Sequence, residues 1–449
     1  MKSVGLLVIA TLFLCGTVYA ERIVWYVHPD SALNAIQAGL DSCADNDIVL
    51  VGPGTYYENI VWPNTQGIHL TSELGPETTI IDGNGVGTVI TCTTGVDITT
   101  IIRGFTIRNG NGEWCSGILC DSASPTISDN IVTNNDGVTY GSAILFIGSP
   151  IIVRNTITTN IGQGISCVRS FGGVIIDTNV IELNTSTGIY LTDPVFSIRN
   201  NTVNHNDMGI VRTMGGNIQH FTSNTMSYNT RDGFGYAPEP DSNEYRDEWS
   251  WGGNVMSHNE RFGIGGILAV ATNDLIQYNG VAGVWGAYGV YLDSCTIAQN
   301  YGPGVIINYY DPLLAHIYHC NILDNVGYGV LYEDTVVINA ENNWWGDATG
   351  PYHPTGNPGG LGDTVSDYVD FDPWLSWPVG VEERPIVKRV ETNKNLGATI
   401  FHGPLQLPEV KKCKVFDITG RVVQPDKIQP GIYFIEIDGV VTQKVVKVR

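Results

Sequence analysis

An internal repeat constrains the fold of this chain more than any other feature of its sequence. Each unit has an asparagine, or a residue in its place, then an aliphatic residue two positions later and a second asparagine three positions after that. The second asparagines of the nine units are Asn135, Asn160, Asn184, Asn206, Asn229, Asn259, Asn279, Asn300 and Asn325. They are 20 to 30 residues apart, and this period is typical of a solenoid.

One unit of this length is too short to bury its own apolar residues. If units stack, each short strand pairs in parallel with its copy one turn later. The side chains of Ile157, Ile181 and Val203 then form a buried column along the axis of the solenoid. Asparagine tolerates left-handed bends and can hydrogen-bond to its copies above and below. The repeat therefore predicts an all-β chain, a right-handed parallel β-helix with an internal asparagine ladder. Its eight steps span roughly 38 Å at the strand spacing.

A solenoid must protect both of its ends. Residues 31–43 place Leu33, Ile36, Leu40 and Cys43 at helical intervals, which predicts an amphipathic helix over the first coil. At the other end, a turn-dense stretch from Trp344 to Trp374 is expected to cover the last coil.

The distribution of charge divides the chain in two. Residues 21–380 contain 37 acidic residues, ten arginines and no lysine, whereas residues 381–449 contain 12 basic and 8 acidic residues. An acidic body repels nucleic acid and anionic membranes, so neither is an expected partner. A polyanionic sugar would need bridging cations, and a neutral extracellular polysaccharide is the easier ligand.

The first 20 residues predict a cleavable export signal. Lys2 precedes an apolar stretch, and small residues end the segment at Ala20. Cys15 would allow a lipoprotein signal instead. No other apolar run is long enough to span a membrane. The predicted domains are the signal peptide over 1–20, the β-helix with end caps over 21–380 and a C-terminal β-domain over 381–449, and the expected location is outside the cell or on its surface.

Several local motifs resemble a known superfamily. They are the Pro-Gly-Thr-Tyr stretch at 53–56 with Glu58, the Thr-Ile-Ile-Asp-Gly stretch at 79–83, and Asn-Asn-Trp-Trp-Gly at 342–346. Together they resemble exported bacterial right-handed β-helix repeat proteins of the pectate-lyase-like superfamily, over about residues 22 to 375. The resemblance implies the fold. It implies an activity only if catalytic residues can be carried over as well.

The C-terminal segment has a different pattern. Residues 415–423, 430–439 and 444–449 alternate apolar and polar positions between turn residues, which predicts a small antiparallel β-sandwich. Asp-x-x-Gly-Arg at 417–421, Pro-Gly-x-Tyr at 430–433 and a basic last strand resemble the sorting domain of type IX secretion cargo. The Pro-Asn-Pro that often opens such domains is missing. The resemblance implies that the secretion machinery is a partner of this segment.

The outward residues of the strand after each repeat glycine indicate whether catalytic side chains could line this face. The second residue of each strand is expected to point outward, and these residues are Ser166, Tyr190, Val211, Gly235, Gly265, Trp285, Ile306 and Leu331. None is a carboxylate, histidine, lysine or arginine. The signature motifs of pectin-hydrolysing glycosidases and pectin esterases are also missing, so catalytic residues cannot be carried over.

Two groups of residues remain candidates for a site. The bend after the asparagines carries charged residues in three successive units, which could act as acid and base or form surface ion pairs: Asp207, Arg231, Asp232, Glu260 and Arg261. The longest unit has an acidic, aromatic loop from Tyr236 to Trp251, where sugar rings could stack and acids could bind hydroxyls or calcium. The glycan-binding candidates are Tyr245, Asp247, Glu248, Trp249 and Trp251. His205, Tyr228, His258 and Tyr278 could extend an aromatic face or pack on one another.

No cofactor or metal site is predicted, with calcium the one ion that the acids could bind. The cap aspartates Asp363, Asp367, Asp370 and Asp372 are dense, but their spacing is not that of an EF-hand loop. Cys295 and Cys320 share a repeat position, so a disulfide between them is conceivable. These observations favour a secreted or surface β-helix that binds glycan, adheres or serves as a spacer without turnover. A polysaccharide lyase or glycosidase is the alternative.

Overall fold

The computed structural model describes residues 22–137, 141–213, 218–236, 250–308 and 315–380, and, in the C-terminal segment, 398–401, 413–417, 422–425, 431–437 and 440–447. The chain divides into two compact units, Met1–Gly380 and Val381–Arg449. The first unit is a right-handed parallel β-helix of about 12 coils, as the repeat predicts.

Three parallel sheets, A, B and C, form the sides of the solenoid, and the chain visits them in that order in the coils between Ile48–Val51 and Phe262–Thr272. Sheet A ends at Ser250–Gly252, and the later coils alternate between sheets B and C. Sheet A contains ten strands: Val24–Val27, Ile48–Val51, His69–Ser72, Ile101–Arg103, Thr126–Ser128, Ile151–Val153, Ile175–Asp177, Val195–Arg199, Ile218–Thr222 and Ser250–Gly252. Sheet B contains twelve: Gly54–Tyr57, Thr79–Asp82, Thr106–Arg108, Ile131–Thr133, Thr156–Thr158, Val180–Glu182, Thr202–Asn204, Thr225–Ser227, Val255–Ser257, Leu275–Gln277, Thr296–Ala298 and Asn321–Leu323.

Sheet C is the longest, with fifteen strands. These are Ile60–Val61, Ile90–Cys92, Cys115–Asp121, Ser142–Ile147, Gln163–Arg169, Ile189–Leu191, Ile210–Arg212, Phe234–Tyr236, Phe262–Thr272, Ala282–Asp293, Val305–Ile307, Ala315–Tyr318, Val330–Tyr332, Ile338–Asn339 and Val369–Asp370. The short pair Pro351–Tyr352 and Gly362–Thr364 lies outside the three sheets.

The core is a set of aliphatic columns, one per inward position. In sheet B, Val132, Ile157, Ile181 and Val203 are in register and fully buried, as predicted. In-register copies keep the strand spacing over the whole length, so each coil buries the apolar side chains of the next.

Two asparagine ladders flank sheet B, whereas the repeat had suggested one. Each follows a bend residue with positive φ, such as Arg154 at 55° and Thr159 at 54°. In the second ladder, the amide Nδ2 of Asn160 donates to Oδ1 of Asn184 over 2.9 Å, and the backbone N–H of Asn160 donates to the same oxygen. This pattern repeats from Asn135 to Asn325, where Asp363 accepts the last pair of hydrogen bonds.

The N-terminal helix is shorter than its pattern predicts. It covers Ile36–Asp41 and buries Ile36 and Leu40 completely, while Leu33 and Cys43 pack against the core from outside the helix. The carboxylate of Glu58 accepts the N–H groups of Ile36 and Gln37 at its N-terminus. At the other end, Trp345 is fully buried against the last coils and Trp374 packs beside the core.

The described part of the C-terminal unit is one five-stranded sheet. Its strands are Ala398–Phe401, Cys413–Asp417, Val422–Val423, Gly431–Ile437 and Val440–Lys447. Three of the strand pairs are antiparallel, and Ala398–Phe401 pairs in parallel with the last strand.

Candidate functional site

The outward face of sheet C is uncharged along its central column. The second residues of the strands after the repeat glycines lie in one register column, as the sequence predicts. In chain order the column is Val61, Thr91, Leu119, Leu145, Ser166, Tyr190, Val211, Gly235, Gly265, Trp285, Ile306 and Leu331. Twelve coils thus place no carboxylate, histidine, lysine or arginine on this column.

An aromatic platform interrupts this face at Trp285. Its ring stacks on that of Phe262, with centroids 5.5 Å apart and planes 12° from parallel. The guanidinium of Arg261 lies 4.9 Å from the centroid of the Phe262 ring, a cation–π geometry. The indole N–H of Trp285 donates to Asn308 Oδ1 over 2.7 Å. Phe262 is buried, so the half-buried indole of Trp285 is the aromatic surface of this pair that a ligand could reach. An aromatic surface with a few fixed polar groups around it is typical of a sugar-binding site.

Asp232 lies beside this platform. Its carboxylate is 3.5 Å from Nε of Arg261 and accepts the N–H of Phe262. A Cβ at Gly265 would stand 3.1 Å from its Oδ2, so the carboxylate lies across the glycine in the next coil. Burial raises the pKa of Asp232, although Arg261 and the Phe262 N–H act in the opposite direction.

The charged residues of the bend form pairs between neighbouring coils. Arg231 Nη1 lies 3.3 Å from Oδ2 of Asp207, and Arg261 pairs with Asp232. Glu260 is exposed in the same bend. The structure therefore brings the five predicted catalytic candidates to one edge of sheet C, where four of them form ion pairs between neighbouring coils.

The predicted glycan-binding loop lies mostly outside the described residues. This holds for Tyr245, Asp247, Glu248 and Trp249. Trp251 is described, and its register continues the inward column of Ile198 and Phe221. Its ring lies 5.0 Å from that of Phe221 and 5.8 Å from that of Phe234. Core packing thus accounts for the Trp251 ring, whereas the prediction required an exposed one.

The four aromatic residues before the second asparagines form a continuous stack. Ring centroids are 5.3 Å apart for His205 and Tyr228, 4.7 Å for Tyr228 and His258, and 4.9 Å for His258 and Tyr278. All four have positive φ, which is uncommon for bulky residues. The two inner rings, Tyr228 and His258, are stacked on both faces, so packing on one another accounts for the arrangement of these residues.

The cap aspartates and the cysteines do not assemble a metal centre. Asp363 ends the second ladder, and Asp367 lies 3.2 Å from His353. Cys295 and Cys320 are buried free thiols, not a disulfide. Among the described residues no group of three or more His, Cys, Asp or Glu side chains could hold a metal ion. No helix in the same residues is long and apolar enough to cross a membrane.

These features define a parallel β-helix protein, and comparisons with known proteins agree. Residues 46–247, somewhat less than half of the chain, match the NosD family, described as periplasmic copper-binding protein. The two histidines of the aromatic stack, His205 and His258, are separated by the ring of Tyr228. No curated protein sequence matches the chain significantly.

Similar solved structures include enzymes acting on polysaccharides. The Azotobacter vinelandii mannuronan C-5 epimerase AlgE4 A-module is 17% identical over 69% of this chain and 90% of its own, with a TM-score of 0.41. The periplasmic alginate epimerase AlgG is 14% identical over 78% and 83%, with a TM-score of 0.33. Pectate lyase Pel9A is 12% identical over 80% and 81%, with a TM-score of 0.29. At these values none of the three defines an activity for this chain.

Proposed function

We propose that this protein is an exported β-helix that binds a neutral extracellular glycan without turning it over. One observation carries the proposal: none of the twelve residues on the outward column of sheet C is charged, and one of them is Trp285, whose half-buried indole stacks on the buried ring of Phe262. Acid–base cleavage of a glycan requires positioned acids and bases, whereas binding requires aromatic surface and hydrogen-bonding groups. The net charge of −22 favours a neutral ligand.

Retention on immobilised polysaccharides tests this proposal. The purified mature protein is passed over neutral and polyanionic polysaccharides, with and without calcium, and soluble products are assayed. Binding to a neutral polysaccharide without products is the expected result. Trp285→Ala should reduce retention at least tenfold, because stacking on the platform is lost. Trp377→Ala, which removes an exposed indole of the cap, is the matched control and should bind normally.

A polysaccharide lyase or glycosidase remains the second candidate, and Asp232 is the observation that favours it. A carboxyl group with a raised pKa next to an arginine is the kind of group that acid–base catalysis uses. Depolymerisation that is abolished by Asp232→Ala would establish this candidate and refute binding without turnover.

Export is part of the proposal. It is supported by the signal-like residues 1–20, which lie outside the described residues, and by the periplasmic description of the family that matches residues 46–247. The sorting role of the C-terminal unit rests on the sequence motifs at 417–433 and on the basic last strand.

A further inference from the structure

The first asparagine ladder, which precedes the strands of sheet B, changes its chemistry in the last three coils of that sheet. Six asparagines from Asn130 to Asn254 are followed by Asp274, Cys295 and Cys320, and Asn343 then resumes the ladder. Asp274 is 3% exposed, and the two thiols are fully buried. A carboxyl group therefore occupies a place that the fold otherwise gives to a neutral amide.

The amide in this place has two functions. Its Oδ1 accepts hydrogen bonds from the preceding asparagine, and its Nδ2 donates to a main-chain carbonyl of the preceding coil. Asn224 Nδ2, for example, donates to Ile198 O over 2.9 Å, and Asn254 Nδ2 donates to Phe221 O over 3.1 Å. Each of the six asparagines makes this second hydrogen bond.

Asp274 fulfils the first function in the same way. One of its oxygens, Oδ1, accepts the backbone N–H of Asn254 over 2.8 Å and Asn254 Nδ2 over 3.0 Å. Its second oxygen then takes the place of the amide nitrogen in the ladder. A neutral carboxylic acid has a proton to donate from that oxygen, as the amide nitrogen does, whereas a carboxylate has none.

The groups that face Asp274 are uncharged. They are the amide of Asn254, the N–H of Thr272 at the end of its sheet C strand, and Cys295 in the next coil. The thiol of Cys295 is itself held neutral, because burial and the hydrogen bond with Cys320 raise its pKa. Among the described residues no arginine or histidine offsets the charge of Asp274. Burial accordingly raises the pKa of Asp274 to about 7, against the lowering effect of the Asn254 and Thr272 donors.

We propose that Asp274 is a proton-binding site inside the solenoid: as a neutral acid it takes the place of a ladder amide, and on ionisation it leaves a buried charge that destabilises the coils packed around it. The folded state holds this proton more tightly than the unfolded chain, whose aspartate has a pKa of about 3.9. The stabilisation is therefore complete at acid pH and is lost as pH rises from about 4 through about 7.

Asp274→Asn tests the proposal, because it supplies the missing donor with no change in shape. Unfolding of wild type and variant is compared by denaturant titration from pH 4 to pH 8.5. Relative to the variant, the unfolding equilibrium constant of wild type should rise with pH by up to roughly a thousandfold, since the two pKa values differ by about three. When both proteins are measured at the same pH above 7, amide hydrogen exchange near Asn254 should be faster in wild type than in Asp274→Asn. A difference between the two proteins that does not change with pH would overturn the proposal.

Asp177→Asn is the matched control. The carboxylate of Asp177 pairs with Arg199 over 2.7 Å, and its pKa is lowered by hydrogen bonds from Asn200, Thr178 and Arg199, so the pH trend should have the opposite sign. Infrared spectra of wild type give a readout that needs no variant to fold. A buried protonated carboxyl band should be present at pH 5.5 and decrease by pH 8.5, and its absence from wild type at pH 5.5 would refute the proposal. Because burial also raises the pKa of Asp232, the part of the band that belongs to Asp274 is the part that Asp274→Asn lacks.

Discussion

Asn206→Ala is expected to destabilise the solenoid by about 3–5 kcal/mol. Asn206 is 1% exposed and lies in the middle of the second ladder. Its Oδ1 accepts the backbone N–H and the Nδ2 of Asn184, both over 3.1 Å. Its Nδ2 donates to Ile181 O over 3.0 Å and to Asn204 O over 2.9 Å. Alanine removes all four hydrogen bonds in one step.

The magnitude follows from the groups that are left without this partner. They are the backbone N–H of Asn184 and the carbonyl lone pairs of Ile181 and Asn204, all in the interior of the stack. Each buried polar group deprived of its hydrogen bond costs about 1–3 kcal/mol, and carbonyls with a second partner lie at the lower end. Asn206→Asp keeps the acceptor and should cost less at acid pH than at neutral pH.

Equilibrium unfolding in urea, followed by far-ultraviolet circular dichroism, measures this effect. Thr202→Ala, an outward side chain of the same coil, is the control and should change the free energy of unfolding by less than 1 kcal/mol. Because solenoids can unfold coil by coil, amide exchange across residues 180–210 should report the same loss locally. A loss for Asn206→Ala as small as that for Thr202→Ala would refute the reasoning that the ladder holds the coils together.

Three further predictions concern charge, chemistry and targeting. Asp232→Asn should leave glycan retention within twofold of wild type, and a loss of product formation in a reducing-sugar assay would instead reveal an enzyme. Asp129 accepts two hydrogen bonds from Arg154 and lies 3.1 Å from Arg103, and the hydrogen bonds and charge of Arg154 lower the pKa of Asp129. In denaturant titrations, wild type should therefore be more stable than Asp129→Asn at pH 7, and this difference should vanish as pH falls below about 4. Deletion of residues 384–449 should leave the solenoid folded by circular dichroism but change its destination in cell fractionation; continued delivery to the cell surface would contradict a sorting role.

The repeat was sufficient to predict the parallel β-helix and the phase of its strands. Asparagine at a fixed place in each unit is informative because its amide both accepts and donates hydrogen bonds along the axis. The left-handed bend that the sequence argument assigned to asparagine lies one residue earlier, for example at Arg154 and Thr159. The outward positions of sheet C followed from the same register, so Trp285 was correctly placed on the surface. The contact of Trp285 with Phe262 was not foreseen, because it joins side chains from neighbouring coils.

Other features could not be predicted, for identifiable reasons. The repeat pattern did not distinguish one ladder from two, since both asparagines of a unit fit the same description. The helix pattern at 31–43 overestimated the helix because Leu33 reaches the core before the helix begins and Cys43 reaches it from the turn that follows. Trp251 looked like a loop residue in a polar stretch, but strand pairing places it on the inward column of sheet A.

High-resolution crystallography of the mature protein tests the central claim most directly. The account predicts that the second asparagines from Asn135 to Asn325 form one line along the axis. Each Oδ1 from Asn160 onward should lie about 3 Å from the main-chain nitrogen of the asparagine one coil before it. A map in which these amides point to solvent, or belong to separate sheets, would contradict the account.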